Sequence, residues 1–105
     1  MKTKTVQGYL ADVPNRRFVP SRILIREGRI EKVETIDTPV DNLYILPGLV
    51  DSHIHIESSM LSPQQFSRIA MRHGTVATVS DPHEIANVLG REGIEFMVRD
   101  GERSP

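Results

Sequence analysis

The run LYILPGLVDSHIHI, residues 43–56, restricts the fold more than any other part of this chain, being almost unbroken in apolar residues and ending in a polar stretch. A strand with one wet face alternates, whereas a short continuous run is the pattern of a strand buried on both faces of a parallel sheet. Helices then have to cover those faces, and the next residues can supply them. Ser62 reads as an N-cap, Pro63 as the first helical position and Gln65 as the residue that closes a capping box. Phe66, Ile69, Ala70 and His73 follow at i, i+3, i+4 and i+7, and Gly74 is the stop. The spacing predicts one amphipathic helix of about three turns. TVATVS, residues 75–80, is the next strand. A second helical stretch carries Ile85, Val88 and Leu89, pauses at Gly90 and resumes with Ile94, Met97 and Val98 before Gly101. This strand–helix alternation implies a parallel sheet with helical crossovers, an α/β arrangement.

Upstream the period is that of strands and turns. KTVQGYLAD reads as a strand, and SRILIREGRIEKVETI as a hairpin turning at Glu27-Gly28. Pro14-Asn15 and the stretch Pro39-Val40-Asp41-Asn42 are turn chemistry. The expected boundary lies between Asp41 and Pro47, dividing a β-rich segment over residues 1–45 from a βαβα segment over 46–105. At 105 residues and 38% hydrophobic content the chain has room for one ordinary domain or two small units, with a modest core. Thirteen basic and fourteen acidic residues, in no long block, argue against a nucleic-acid partner or an anionic membrane surface. The start, MKTKTVQGYL, has no apolar core of a signal peptide, so a soluble, cytoplasmic protein is the expectation. With no cysteine, a transition-metal site must be made from His, Asp and Glu.

Residues i and i+2 of a strand share a face, so His53 and His55 can offer two imidazoles to one ion. They also sit at the C-terminal end of a parallel strand, where α/β folds and barrels place their chemistry. We read them as metal ligands rather than as a pair of hydrogen-bonded core histidines. Glu57, on the same face if the strand continues, has three readings: a ligand, a group that orients a histidine, or a solvated residue at the strand exit. Ser58 and Ser59 read as loop residues whose hydroxyls are placed to bind substrate if a metal is near. Asp51 is either a turn former or a partner for an imidazole. The second cluster is SDPHEIANVLG, residues 80–90. Asp81 fits an N-cap, Pro82 the first helical position and Glu84 the closing residue of a box, but capping does not account for His83, for which a functional role is favoured. His73, in the last turn of a helix, reads as structural.

Together, PGLVDSHIHIESSM and HGTVATVSDPHEIANVLG resemble the N-terminal portion of the adenine deaminase family, metal-dependent hydrolases of the amidohydrolase superfamily. The resemblance covers essentially the whole chain, and HIHIESSM with DPHEIANV are its discriminating pieces; REGRIEKV is similar to the less diagnostic β-sandwich domain that precedes the barrel. It implies a sandwich-like front and the first two βα units of an incomplete TIM-type barrel. It further implies hydrolytic deamination of adenine to hypoxanthine and ammonia at a divalent metal, manganese first, iron or zinc as alternatives. His53 and His55 match the metal-ligand pair of the first barrel strand, while Glu57, Asp81, His83 and Glu84 are carried over only as residues lining the site.

A complete (β/α)₈ barrel takes roughly 200 residues or more. The ligands and acid–base groups that the family draws from later strands, and the segment that completes its sandwich, are therefore not expected in this chain. The end, VRDGERSP, shows no designed cap, which leads us to expect a shortened chain, inactive alone and prone to self-association, whose purine substrate belongs to the full-length enzyme. The alternatives are a small non-catalytic metal-binding or assembly module, and a fragment of another amidohydrolase acting on a purine or a cyclic amide.

Overall fold

The computed structural model describes residues 2–105. They divide into two compact units, one ending at Pro47 and the other spanning Gly48–Pro105.

The first unit is a four-stranded sheet. β1 (Thr3–Asp12) and β2 (Arg17–Arg26) form an antiparallel hairpin, β3 (Arg29–Thr35) returns along β2, and β4 (Tyr44–Ile45) runs parallel to β1, in the order β3-β2-β1-β4. The first turn is closed by the Arg16 N–H donating to the Val13 carbonyl at 3.2 Å, and the Asn15 side-chain amide bonds the Asp12 carboxylate. The second turns at Glu27-Gly28, both with positive φ, the mirror-image turn whose twist matches a hairpin. β2 begins four residues before the expected hairpin strand, running through Pro20. Proline is tolerated there because Pro20 lies just beyond the last β2–β3 pair, Ser21↔Thr35, so its missing N–H faces a side where the ladder has ended. The Pro20 carbonyl on that side accepts from the Ile36 N–H at 3.0 Å. Ser21 and Ile23 are the buried centre, and the Ser21 hydroxyl donates to the Val19 carbonyl, which satisfies it. The described residues of this unit make one β-rich sheet, in keeping with the expectation that the segment completing a sandwich is not part of this chain.

The apolar run 43–56 is not one strand. Pro47-Gly48 interrupts it, Tyr44–Ile45 joins the first sheet, and β5 (Leu49–Ile54) opens the second unit. β6 (Thr75–Ser80) pairs parallel with β5. Between them come a 3₁₀ turn, Ile56–Ser59, then α1 (Pro63–Ala70) and a tighter 3₁₀ turn, Met71–His73, which Gly74 ends at φ 91°. α2 (His83–Leu89) and α3 (Arg91–Gly101) follow, separated at Gly90. The run is covered only in part: Leu49 and Val50 within it, and Val76 and Val79 on β6, are 58–69% exposed, because two strands and three short helices have too few layers to cover both faces. Ile56 and Met97 form the covered part.

α1 is capped otherwise than expected. The Ser62 side chain makes no cap bond to its own helix, and Gln65 is exposed. Asp100 on α3 instead accepts from the Gln64 N–H at 2.9 Å and from the Ser62 hydroxyl, a carboxylate being the stronger acceptor. These bonds hold the Asp100 carboxyl below the usual carboxylate range. Among the described residues no helix is long and apolar enough to cross a membrane.

Candidate metal centre

β5 ends at Ile54, but His55 remains extended, with φ −104° and ψ 94°, so His53 and His55 keep a common side. Their Nε2 atoms face each other at 3.2 Å. Two imidazole nitrogens bound at 2.0–2.1 Å to one tetrahedral ion stand about 3.3 Å apart, so the observed spacing suits a shared ion.

The exits of the two strands are tied together. The Asp81 N–H donates to the Ile54 carbonyl at 3.0 Å, and Nδ1 of His55 donates to the Asp81 carbonyl at 2.7 Å. That second bond places the His55 proton on Nδ1 and leaves the Nε2 lone pair free for a metal. The Asp81 carboxylate completes the group: one ligand atom each from His53, His55 and Asp81 lie within 4.8 Å of one another. Two imidazoles and one carboxylate are a donor set that divalent transition metals accept, with a fourth position left open. Oδ2 of Asp81 also meets Nδ1 of His83 at 3.1 Å, and the His83 ring stands edge-on to His55 with centroids 4.5 Å apart.

Asp51 does not orient an imidazole; its Oδ1 accepts from the backbone N–H of His53 at 3.1 Å, bracing the strand under that histidine. Glu57 lies in the 3₁₀ turn after His55, where Oε1 accepts from the backbone N–H groups of Glu84 at 3.1 Å and Ile85 at 3.4 Å. It therefore caps α2, a role outside the three considered from sequence. The capping expected of Asp81, Pro82 and Glu84 is corrected accordingly. Pro82 occupies the cap position, Asp81 has turned to His83, and the helix amides are taken by Glu57. The Glu84 carboxylate accepts from the Ser58 hydroxyl at 2.7 Å, and the Ser59 hydroxyl donates to the Ile56 carbonyl, so both serines are engaged within the chain. His73 closes the 3₁₀ turn after α1 and is not in the group.

From sequence Asp81 reads as either a cap or a residue lining the site, and not as a member of the His53–His55 group. The available signal was position: His55 and Asp81 each directly follow the last residue of neighbouring parallel strands, which brings them to one sheet edge.

Comparison with known proteins adds the ancestry. The chain is 56% identical over 94 residues to an adenine deaminase of Sulfurovum sp. (strain NBC37-1), an alignment covering 90% of this chain and 17% of that protein. It is 48% identical over 101 residues to the adenine deaminase of Salinibacter ruber, covering 96% and 18%, and 52% identical over 102 residues to that of Methanosarcina mazei, covering 97% and 18%. The chain thus spans less than a fifth of the length of these curated relatives. A profile of the Amidohydrolase family matches residues 44–105, more than half of the chain and the part that carries His53, His55 and Asp81, and the chain belongs to that family.

Proposed function

We propose that this chain is the N-terminal part of an adenine deaminase, converting adenine and water to hypoxanthine and ammonia, with His53, His55 and Asp81 as its contribution to a divalent metal centre. The observation that carries the reading is the convergence of two histidine Nε2 atoms at 3.2 Å within a segment that matches adenine deaminases over 90–97% of this chain. The amidohydrolase family points to a divalent metal, and the His-His-Asp group is compatible with one. Manganese is our assignment, with iron and zinc as the alternatives. Such an ion, when bound, supplies Lewis acidity and makes hydrolysis possible at neutral pH.

The chain's own residues act around that centre. The Asp81 carbonyl fixes the His55 tautomer, the Asp51 carboxylate holds the His53 backbone, and His83 is placed against both His55 and Asp81, at the edge where a purine is to be received. In this reading residues 46–105 are the first two βα units of a TIM-type barrel, residues 1–45 belong to the β-rich domain beside it, and the enzyme is cytoplasmic. Three ligands on an open sheet edge neither exclude water from a base nor complete the centre, so the 105 residues alone turn over little adenine and tend to self-associate.

A chimera tests this: the matching segment of the full-length Sulfurovum enzyme is replaced by this chain and assayed for ammonia release from adenine. Activity that falls at least about a hundredfold with His53→Ala plus His55→Ala is the expected result. A folded, metal-loaded chimera that leaves adenine untouched but hydrolyses another purine or a cyclic amide would overturn the substrate assignment.

A further inference from the structure

The two motifs that carry the metal group are joined a second time, one turn beyond it. Glu57 Oε1 accepts from the N–H groups of Glu84 and Ile85, while the Glu84 carboxylate accepts from the Ser58 hydroxyl at 2.7 Å. The bonds cross: the first motif's side chain takes the second motif's backbone, and the second motif's side chain takes the first motif's hydroxyl. A capping box does this within four residues of one helix, but here the partners are 26 to 28 residues apart.

The strand ladder alone does not hold the spacing of the metal group. The β5–β6 register shifts between Asp51 and Ile54, the stretch of β5 that carries His53. Beyond that irregularity the ladder keeps the Ile54↔Ser80 pair, and the Asp81–Ile54 and His55–Asp81 bonds tie the two exits. Asp81 lies two residues before the start of α2, so any drift of that helix moves the carboxylate and the carbonyl that orients His55.

The geometry points to Glu57, with Ser58 and Glu84, as a crossed latch that holds the two strand exits at the spacing a metal ion requires, making Glu57 a positioning residue for the centre. The inference rests on the metal-centre reading above. It also accounts for an otherwise costly feature. Glu57 Oε2 is buried without a hydrogen-bond partner, an expense tolerated where its twin oxygen makes two charge-assisted bonds that fix a functional site.

The test is Zn²⁺ affinity by titration calorimetry on the whole chain, with amide hydrogen exchange as the structural readout. Glu57→Ala is expected to weaken Zn²⁺ binding about 10–100-fold, while Glu57→Gln, which keeps the oxygen acceptor, stays within about threefold of the parent. Exchange should accelerate at Glu84 and Ile85 in the alanine variant but not at Phe66, whose N–H donates to the Ser62 carbonyl in α1 and reports the integrity of the unit. If Glu57→Ala does not fold, Ser58→Ala decides, with an expected loss of about three- to tenfold. Unchanged Zn²⁺ affinity alongside faster exchange at Glu84 overturns the latch, because the bonds would then cap a helix and position nothing. Zn²⁺ binding that survives His53→Ala plus His55→Ala overturns the metal centre itself, and the latch with it. Loss in the histidine variant with none in the Glu57 and Ser58 variants overturns the latch alone.

Discussion

At the scale of single residues, the second unit is held by carboxylates that reach across it. Asp100 accepts from the Gln64 N–H and the Ser62 hydroxyl, and both bonds hold its carboxyl below the usual range. A group whose folded-state pKa is depressed contributes stability that is present above its unfolded value, near pH 4, and lost as pH falls through the folded value. Asp100→Asn should therefore lower the thermal midpoint at pH 7 and flatten its fall between about pH 4 and pH 2. Asp12, held down by Asn15 and Arg17, and Glu34, held down by Lys32, have the same sign, so part of the acid limb should survive. Identical pH profiles for parent and variant would show that the Asp100 bonds contribute nothing in solution. That His53 and His55 share one side of the strand was legible from sequence because a period of two is a local property. Glu57 and Asp100 were not, because each caps a helix 27 or 36 residues away. The local signals at Ser62 and Asp81 marked where helices begin, but not which side chain would satisfy their amides.

At the scale of elements, the site depends on how closely β5 and β6 run before their ends meet. Gly48, directly ahead of β5, allows this: a Cβ there would run into the Val76 side chain, with Cγ2 at 2.6 Å and Cβ at 3.0 Å. Valine is stiff about χ1 and cannot swing clear freely. Gly48→Ala should accordingly destabilise the unit by about 1–3 kcal/mol, and Val76→Ala in the same chain should recover most of the loss. Urea unfolding of the two single variants and the double one measures this, and additive losses would show that the contact is not the cause. Strand and helix identities were readable where periodicity was strong, as in α1, β6 and the β2–β3 hairpin. They were misread where one residue decides. Pro20 hid the start of β2, and Pro47-Gly48 split an apolar run whose pattern alone is continuous.

At the scale of the whole molecule, the second unit exposes much of what its sequence prepares for burial. Leu49, Val50, Val76 and Val79, from both strands of the two-stranded sheet, are all more than half exposed. Apolar side chains left open on both faces of a short parallel pair, together with the unpaired edges of a two-stranded sheet, are features that favour association. We therefore expect the 105-residue chain to scatter light at micromolar concentration with a mass above the 11.8 kDa of the monomer. Val50→Lys with Val79→Lys should reduce that mass by setting charge in the exposed stretch, and should leave Zn²⁺ affinity unchanged, since neither residue belongs to the His53–His55–Asp81 group. The same openness sets the expectation for catalysis. A carboxylate and two imidazoles that solvent reaches freely cannot give the dry, preorganised field that stabilises charge in a hydrolytic transition state. Ammonia release from adenine, measured with added Mn²⁺ beside the scattering experiment, should stay at background. A monodisperse parent of 11.8 kDa turning adenine over at an ordinary enzymatic rate of about 1–10³ per second would refute both expectations at once, because it would require a closed site where the sheet is open.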